Sequence, residues 1–286
     1  MQIVARVMPE RERAAGNGLF TSGTSIGALI APAILLGLAT KWGWRLPFVV
    51  VGAAGFIWLG AWFWFTWRSD LRATLGRSHV MRIKETLSWR ALLHSARFRR
   101  AFVVTITVNP ALYFSLNWLP LFLSQQRGIH VASRLATVLT CAYLGLDLGN
   151  IAGGLLLGRV ERRFVALLAS SLLLSAAAVP FVPELSGAAV LIVSMNFALG
   201  VWVSIYLTMS QEVDANPIST IAGILGASGS LAGALAMWLV GYVTQQWQSF
   251  LLPLVGVSVA GVAAAAAVLS YPSLETGTAQ PVRALS

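Results

Sequence analysis

The chain has 286 residues, of which 57% are hydrophobic and 10% charged, with a formal net charge of +10. A soluble domain carries about 25% charged residues, so the deficit excludes an ordinary water-soluble fold and points to a membrane protein. The single cysteine, Cys141, lies in an apolar segment and excludes a disulfide framework.

Apolar runs fall at about 17–40, 47–67, 101–124, 134–158, 164–184, 187–210, 218–244 and 249–271. Each is long enough to cross a hydrocarbon core of ~30 Å as a helix, and none alternates as a barrel strand would. The expected fold class is therefore all-α, a polytopic helical membrane protein with about eight transmembrane helices. The expected organisation is two such helices in 1–67, a basic linker at 68–100, a six-helix bundle at 101–271 and a tail at 272–286.

The N-terminal stretch "MQIVARVMPERERAAGNG" holds a short apolar patch followed by charges, which is not a signal-peptide pattern. The first apolar run crowds Thr21, Ser22, Thr24 and Ser25 beside Gly23 and Gly27. In the basic stretch, "IKETLSWRALLHSARFRR" sets Ile83, Leu87 and Trp89 among cations. That pattern suits either an amphipathic helix on a membrane surface or a solvated linker.

The run at 101–124 places Asn109, Tyr113 and Asn117 at helical spacing on one face. Pro110 and Pro120 predict a kink or break. The run at 134–158 places Tyr143, Asp147, Asn150 and Gly154 on one face, with Gly145, Gly149 and Gly153 on the opposite one. Glycines four apart let another helix approach closely. A charged Asp at mid-bilayer costs about 2.5–3.5 kcal/mol on insertion scales, so Asp147 is expected to face a cavity or a partner. Two roles stay open for it: a protonatable group or polar anchor on a translocation path, or a structural acid bonded to a neighbouring helix. Asn196 and Gln211 add polar groups in or beside the run at 187–210, and Glu212 and Asp214 follow in a solvated boundary. Gly223, Gly226, Gly229 and Gly233 predict close packing in the run at 218–244.

Threading the chain through eight crossings divides its 20 Lys and Arg residues into sixteen on one side and four on the other. Basic residues resist translocation, so both termini and the 68–100 linker are expected in the cytoplasm. The positive charge is then a topology signal, the expected partner is a lipid bilayer, and nucleic acid is not one. His79, His94 and His130 lie far apart without spaced partners for a metal. No phosphate-binding G-x-x-x-x-G-K-[ST] occurs. Neither an enzyme nor a cofactor is expected.

Several segments in order resemble one family. "MPERERAAGNGLFTSGTSIGALIAP" with "WGWRLPFVVVGAAGFIWLGAWFWF" resembles the fifth and sixth helices of major facilitator superfamily permeases. The branch it is most similar to is the anion:cation symporters, which carry hexuronates and aldonates. "NPALYFSLNWLPLFLSQQRG" resembles that branch's seventh helix and "YLGLDLGNIAGGLLLGRVERR" its eighth. "SQEVDANPISTIAGILGASGSLAGAL" resembles the segment joining its tenth and eleventh helices.

The resemblance implies a secondary transporter with alternating access between two bundles. It would move a small organic anion such as a sugar acid, by symport with H+ or Na+, in the cell (inner) membrane. A monomer is the default expectation. Asn109, Tyr113, Asn117, Trp118, Tyr143 and Asn150 become candidate substrate contacts and Asp147 the proton-coupling candidate. Interhelical glue is the competing use of the amides. A family member has twelve helices and this chain begins just before the fifth, which implies a truncated sequence, a misplaced start or a degraded gene. The alternative function is a non-transporting membrane remnant or interaction module. The family's G-x-x-x-D-R-x-x-R-R loop motif is matched by Gly154, Arg159, Arg162 and Arg163, with Gly158 where an acid is expected and Glu161 as a substitute partner. Ala31 before Pro32 departs from the Gly-Pro pair of antiporters, in keeping with symport or uniport.

Overall fold

The computed structural model describes residues 27, 34, 38–39, 41–67, 89–129, 132–213 and 218–270, and these form helices and turns with no strand. Contacts divide the chain into two units, Phe20–Leu87 and the remainder. In the smaller unit, α1 spans Arg45–Trp67. Its interior is apolar. Trp42 and Trp44 stand before it, and Trp62, Trp64 and Trp67 close it. Such belts suit the two water–lipid boundaries. Lys41 lies over the ring of Trp42 and Arg45 over that of Trp44.

The larger unit contains α2 (Trp89–His94), α3 (Ala96–Asn117), α4 (Leu119–Gln125), α5 (Ala132–Leu157), α6 (Arg162–Leu173) and α7 (Ser175–Ala178). A 3₁₀ turn at Val179–Phe181 leads to α8 (Leu185–Gln211), α9 (Ile218–Trp247) and α10 (Leu251–Leu269). Six described spans are long and apolar enough to cross a membrane, and the bent pair α3–α4 makes a seventh. These correspond to seven of the eight expected crossings. The first, 17–40, lies almost wholly outside the described residues, as does most of the linker with Ile83 and Leu87. Of the linker's expected surface helix, the six residues of α2 are described.

Two breaks have local causes. The run at 101–124 does not break at Pro110, which sits inside a continuous α3. It bends by 47° at Trp118, where Pro120 occupies the first turn of α4. Proline fits a first turn because its missing N–H would have no intrahelical acceptor there. The run at 164–184 breaks after Leu173, and Ser258 of α10 fills the gap. Its hydroxyl donates to the Leu173 carbonyl (3.1 Å) and accepts the Ala177 N–H (3.1 Å). In lipid a freed backbone group needs such a partner, since no water can serve it.

α8 is the most buried of the straight spans and α9 the least in this unit. Trp202, Met195 and Leu199 of α8 are fully buried. Lipid is as apolar as leucine, so helices associate here by close packing and interhelical hydrogen bonds. Ser115 Oγ of α3 donates to Asn196 Oδ1 of α8 (2.6 Å), and Ser170 Oγ of α6 donates to the Gly261 carbonyl of α10 (2.9 Å). The alternating helix directions gather Arg90, Arg97, Arg99, Arg100, Arg159, Arg162 and Arg163 at one end of the bundle. Arg127 and Arg134 lie at the other, where the Arg127 guanidinium donates to the carbonyls of Val179 and Val182.

Candidate functional site

α5 carries the single acid of its apolar run, Asp147, and runs parallel to α8. A side chain built at Gly145 would meet the Val193 carbonyl at 2.9 Å, and one at Gly153 would meet Val201 Cα at 2.9 Å. At Gly149 it would overlap the Phe197 carbonyl, and at Gly200 of α8 that of Leu146. The two backbones therefore touch, which is what the glycine spacing predicts. Leu144, Leu148, Ile151 and Leu155 form the exposed stripe of α5.

Asp147 and Asn150 are buried, at 8% and 3% exposure. The polar face is not wholly opposite the glycines, however. The Asn150 carbonyl accepts Ser204 Oγ of α8 (2.7 Å), and its N–H lies against Gly200. The residue thus sits at the margin of the α5–α8 contact. Its side-chain Oδ1 is buried and has no hydrogen-bond donor among the described residues. Tyr143 is half-buried and its hydroxyl reaches the Leu116 carbonyl of α3 at 3.5 Å, which turns the upper part of this face toward α3.

On α3, Asn109, Tyr113 and Trp118 all meet glycines of α9. Positions for added carbons at Gly229 and Gly233 lie 2.6 Å from Asn109 Nδ2 and 2.9 Å from the Tyr113 ring, and the one at Gly241 lies 3.4 Å from Trp118. The close packing expected of Gly223, Gly226, Gly229 and Gly233 is thus realised at the last two, while nothing lies within 4 Å of the first two. Asn109 Nδ2 donates to its own helix at Thr105 (2.9 Å), so the amide partly serves its own backbone. The Tyr113 hydroxyl reaches Ser230 Oγ at 3.4 Å. Asn117 is exposed and donates to the Tyr113 carbonyl (2.9 Å). Trp118 stands apart from this group, at the α3–α4 bend with Phe250 (ring centroids 6.2 Å).

The structure therefore brings Tyr113 together with Ser230, and Tyr143 to the neighbouring turn of α3. Ser230 escaped the sequence reading, since it had no charge or proline beside it to draw notice. Hydroxyls and amides of this kind donate to and accept from a polyhydroxylated solute.

At the basic end, Arg162 at the start of α6 pairs with Glu212 at the end of α8, and both side chains are about four-fifths buried. Glu161 pairs with Arg163 across 3.5 Å at an exposed position, whereas Arg159 is exposed and Gly154 is buried in α5. The expectation of a solvated Glu212 is corrected here: its side chain is largely buried and paired with Arg162. Asp214 lies outside the described residues. No group of three or more His, Cys, Asp or Glu residues that could hold a metal occurs among the described residues.

These features define an integral, multi-pass α-helical membrane protein with a polar wall carried on apolar helices. The chain belongs to the Major Facilitator Superfamily, whose family model matches residues 1–237. It is 25% identical over 265 residues to a hexuronate transporter of Bacillus subtilis strain 168, covering 87% of this chain and 63% of that protein. It is 25% identical to the probable sulfoacetate transporter SauU of Cupriavidus necator, covering 93% and 67%. It is also 25% identical to the probable galactarate/D-glucarate transporter GudP of Bacillus subtilis, covering 94% and 65%. The chain thus spans about two thirds of the length of these relatives. Membership places it with transport proteins rather than enzymes.

Proposed function

We propose that this chain forms part of a secondary active transporter for a small organic anion, with a sugar acid as the cargo and symported H+ or Na+ as the drive. The observation that carries this reading is its similarity, over most of its length, to transporters named for hexuronates and for galactarate or glucarate. The arginine-rich end is the cytoplasmic one, in keeping with the resistance of basic residues to translocation. The membrane is the cell membrane.

Within this reading, Tyr113, Asn117 and Tyr143 bind hydroxyls of the cargo, with Ser230 beside Tyr113. Asn109 acts more as packing against Gly229 than as a contact. Among the described residues the arginines lie at the ends of the bundle, so this wall reads hydroxyls and supplies no cation for a carboxylate. Asp147 is the coupling group. Burial on an apolar helix makes its charged form expensive, so taking up a proton or a cation there changes the energetic balance between conformations. Asn150 is the polar residue one turn further along. The Arg162–Glu212 pair ties two helices at the cytoplasmic end, and a charged pair that is out of water holds one arrangement until both partners are rehydrated.

The test is uptake of labelled D-glucuronate by cells expressing the chain, with and without a protonophore and with Na+ replaced by K+. Asp147→Asn is expected to abolish gradient-driven accumulation while leaving exchange of internal for external substrate partly intact. Undiminished accumulation with unchanged pH and Na+ dependence removes Asp147 from coupling. Absence of any glucuronate uptake or binding overturns the substrate assignment.

A further inference from the structure

A second polar site lies away from Asp147, at the end of the bundle opposite the arginine-rich one. It is a cavity of about 340 Å³ lined by Trp118, Gln125, Gln126, Thr244, Gln245 and Gln248, with Leu121 and Phe250 completing it. We propose that this cavity binds a polyhydroxylated ligand, holding its hydroxyls with the glutamine amides and its C–H face against Trp118.

Its chemistry selects that class. No lining residue is ionisable, and the nearby Arg127 spends its guanidinium on the Val179 and Val182 carbonyls, so the lining itself offers no charge to a carboxylate or phosphate. Four primary amides supply both donors and acceptors, as a chain or ring of alternating hydroxyls requires. Much of that capacity is free: Gln126 uses Oε1 for the Phe250 N–H (3.3 Å), and Gln248 uses Nε2 for the Gln245 carbonyl (3.0 Å). An aromatic face beside a few placed polar groups is the usual make-up of a small-molecule site. Its aromatic component is held firmly, since the Trp118 ring rests on Gly241 and Phe250. Its indole N–H is buried with no acceptor among the described residues, which leaves a donor there that costs stability.

The backbone points the same way. Gln248 directly follows α9 with φ +47°, the only non-glycine residue at positive φ among those described. Glycine is the usual residue at such a helix end because it has no Cβ to strain. Retaining a glutamine there sets its side chain at the cavity at a conformational cost, and such strain is a sign of function when other observations agree.

A free sugar and the glycerol headgroup of a lipid share this chemistry, so the experiment separates them. The full chain with ¹⁵N-labelled indoles is placed in phosphatidylcholine nanodiscs and titrated with D-glucuronate and, separately, with uncharged D-glucitol. Trp118→Phe identifies the Trp118 resonance. The expected result is a saturable shift of that resonance with both ligands, because the cavity reads hydroxyls and not charge. Gln248→Gly is expected to raise thermal stability slightly yet weaken this binding about fivefold to tenfold, the worth of one or two neutral hydrogen bonds. If phosphatidylglycerol nanodiscs alone shift the resonance and compete with glucitol, the polyol chemistry stands and lipid is its source. No shift with either sugar or with phosphatidylglycerol overturns the proposal, even where glucuronate uptake is robust. A shift in a chain that neither takes up nor exchanges glucuronate upholds this site while overturning glucuronate as the cargo. Binding unchanged in Gln248→Gly overturns the role given to the amide cluster.

Discussion

Two helix pairs in this bundle use glycine for opposite ends. In α5–α8 the glycines of both helices meet backbone: Gly149 faces the Phe197 carbonyl and Gly200 faces that of Leu146. In α3–α9 the glycines of one helix receive side chains of the other, with Asn109 over Gly229 and the Tyr113 ring over Gly233. The first contact has nothing that can yield except the main chain, while the second ends in rotatable groups. A rigid plank and an adjustable wall are thus built from the same residue type at the same spacing. The acid sits on the plank, and most of the exchangeable hydroxyls sit on the wall.

Substituting the glycines separates these roles. Gly149→Ala has no room without moving α8, and its expected cost is about 3 kcal/mol, the upper part of the range for overpacking. Thermal unfolding of the purified protein checks it, and a cost below that of Gly233→Ala would contradict the contrast. Gly233→Ala is expected to cost about 1 kcal/mol, because the Tyr113 ring can turn aside. Its larger signature should be a raised KM for glucuronate with little change in the amount of folded protein. Gly226→Ala has nothing within 4 Å to meet, and should be neutral or stabilise α9 by up to about 1 kcal/mol through lower backbone entropy. A loss of uptake with that variant would show that another surface docks on this part of α9 during transport.

Much of this was legible along the chain. The seven described crossings, the tight contact at Gly145, Gly149 and Gly153, and the burial of Asp147 follow from run length, four-residue spacing and the cost of charge in lipid. Those are one-dimensional properties: each depends on a helix and its solvent, not on which helix comes next. Position in sequence also placed Trp118 with Tyr113 and Asn117, since all three are close neighbours on one stretch. The bend after Asn117 separates them, and sends Trp118 to a different cavity with Gln245, Gln248 and Phe250.

Sequence by itself determined that the chain is a set of apolar helices, which end of each is basic, and which faces cannot meet lipid. Only the tertiary structure decided the partners. Glu212 and Arg162 are 50 residues apart, Ser115 and Asn196 are 81 apart, and Tyr113 and Ser230 are 117 apart. No local period encodes such pairs, because in a bilayer an apolar face is equally content against lipid or another helix. The choice falls to backbone fit and a few hydrogen bonds between helices, which exist only once the helices are side by side.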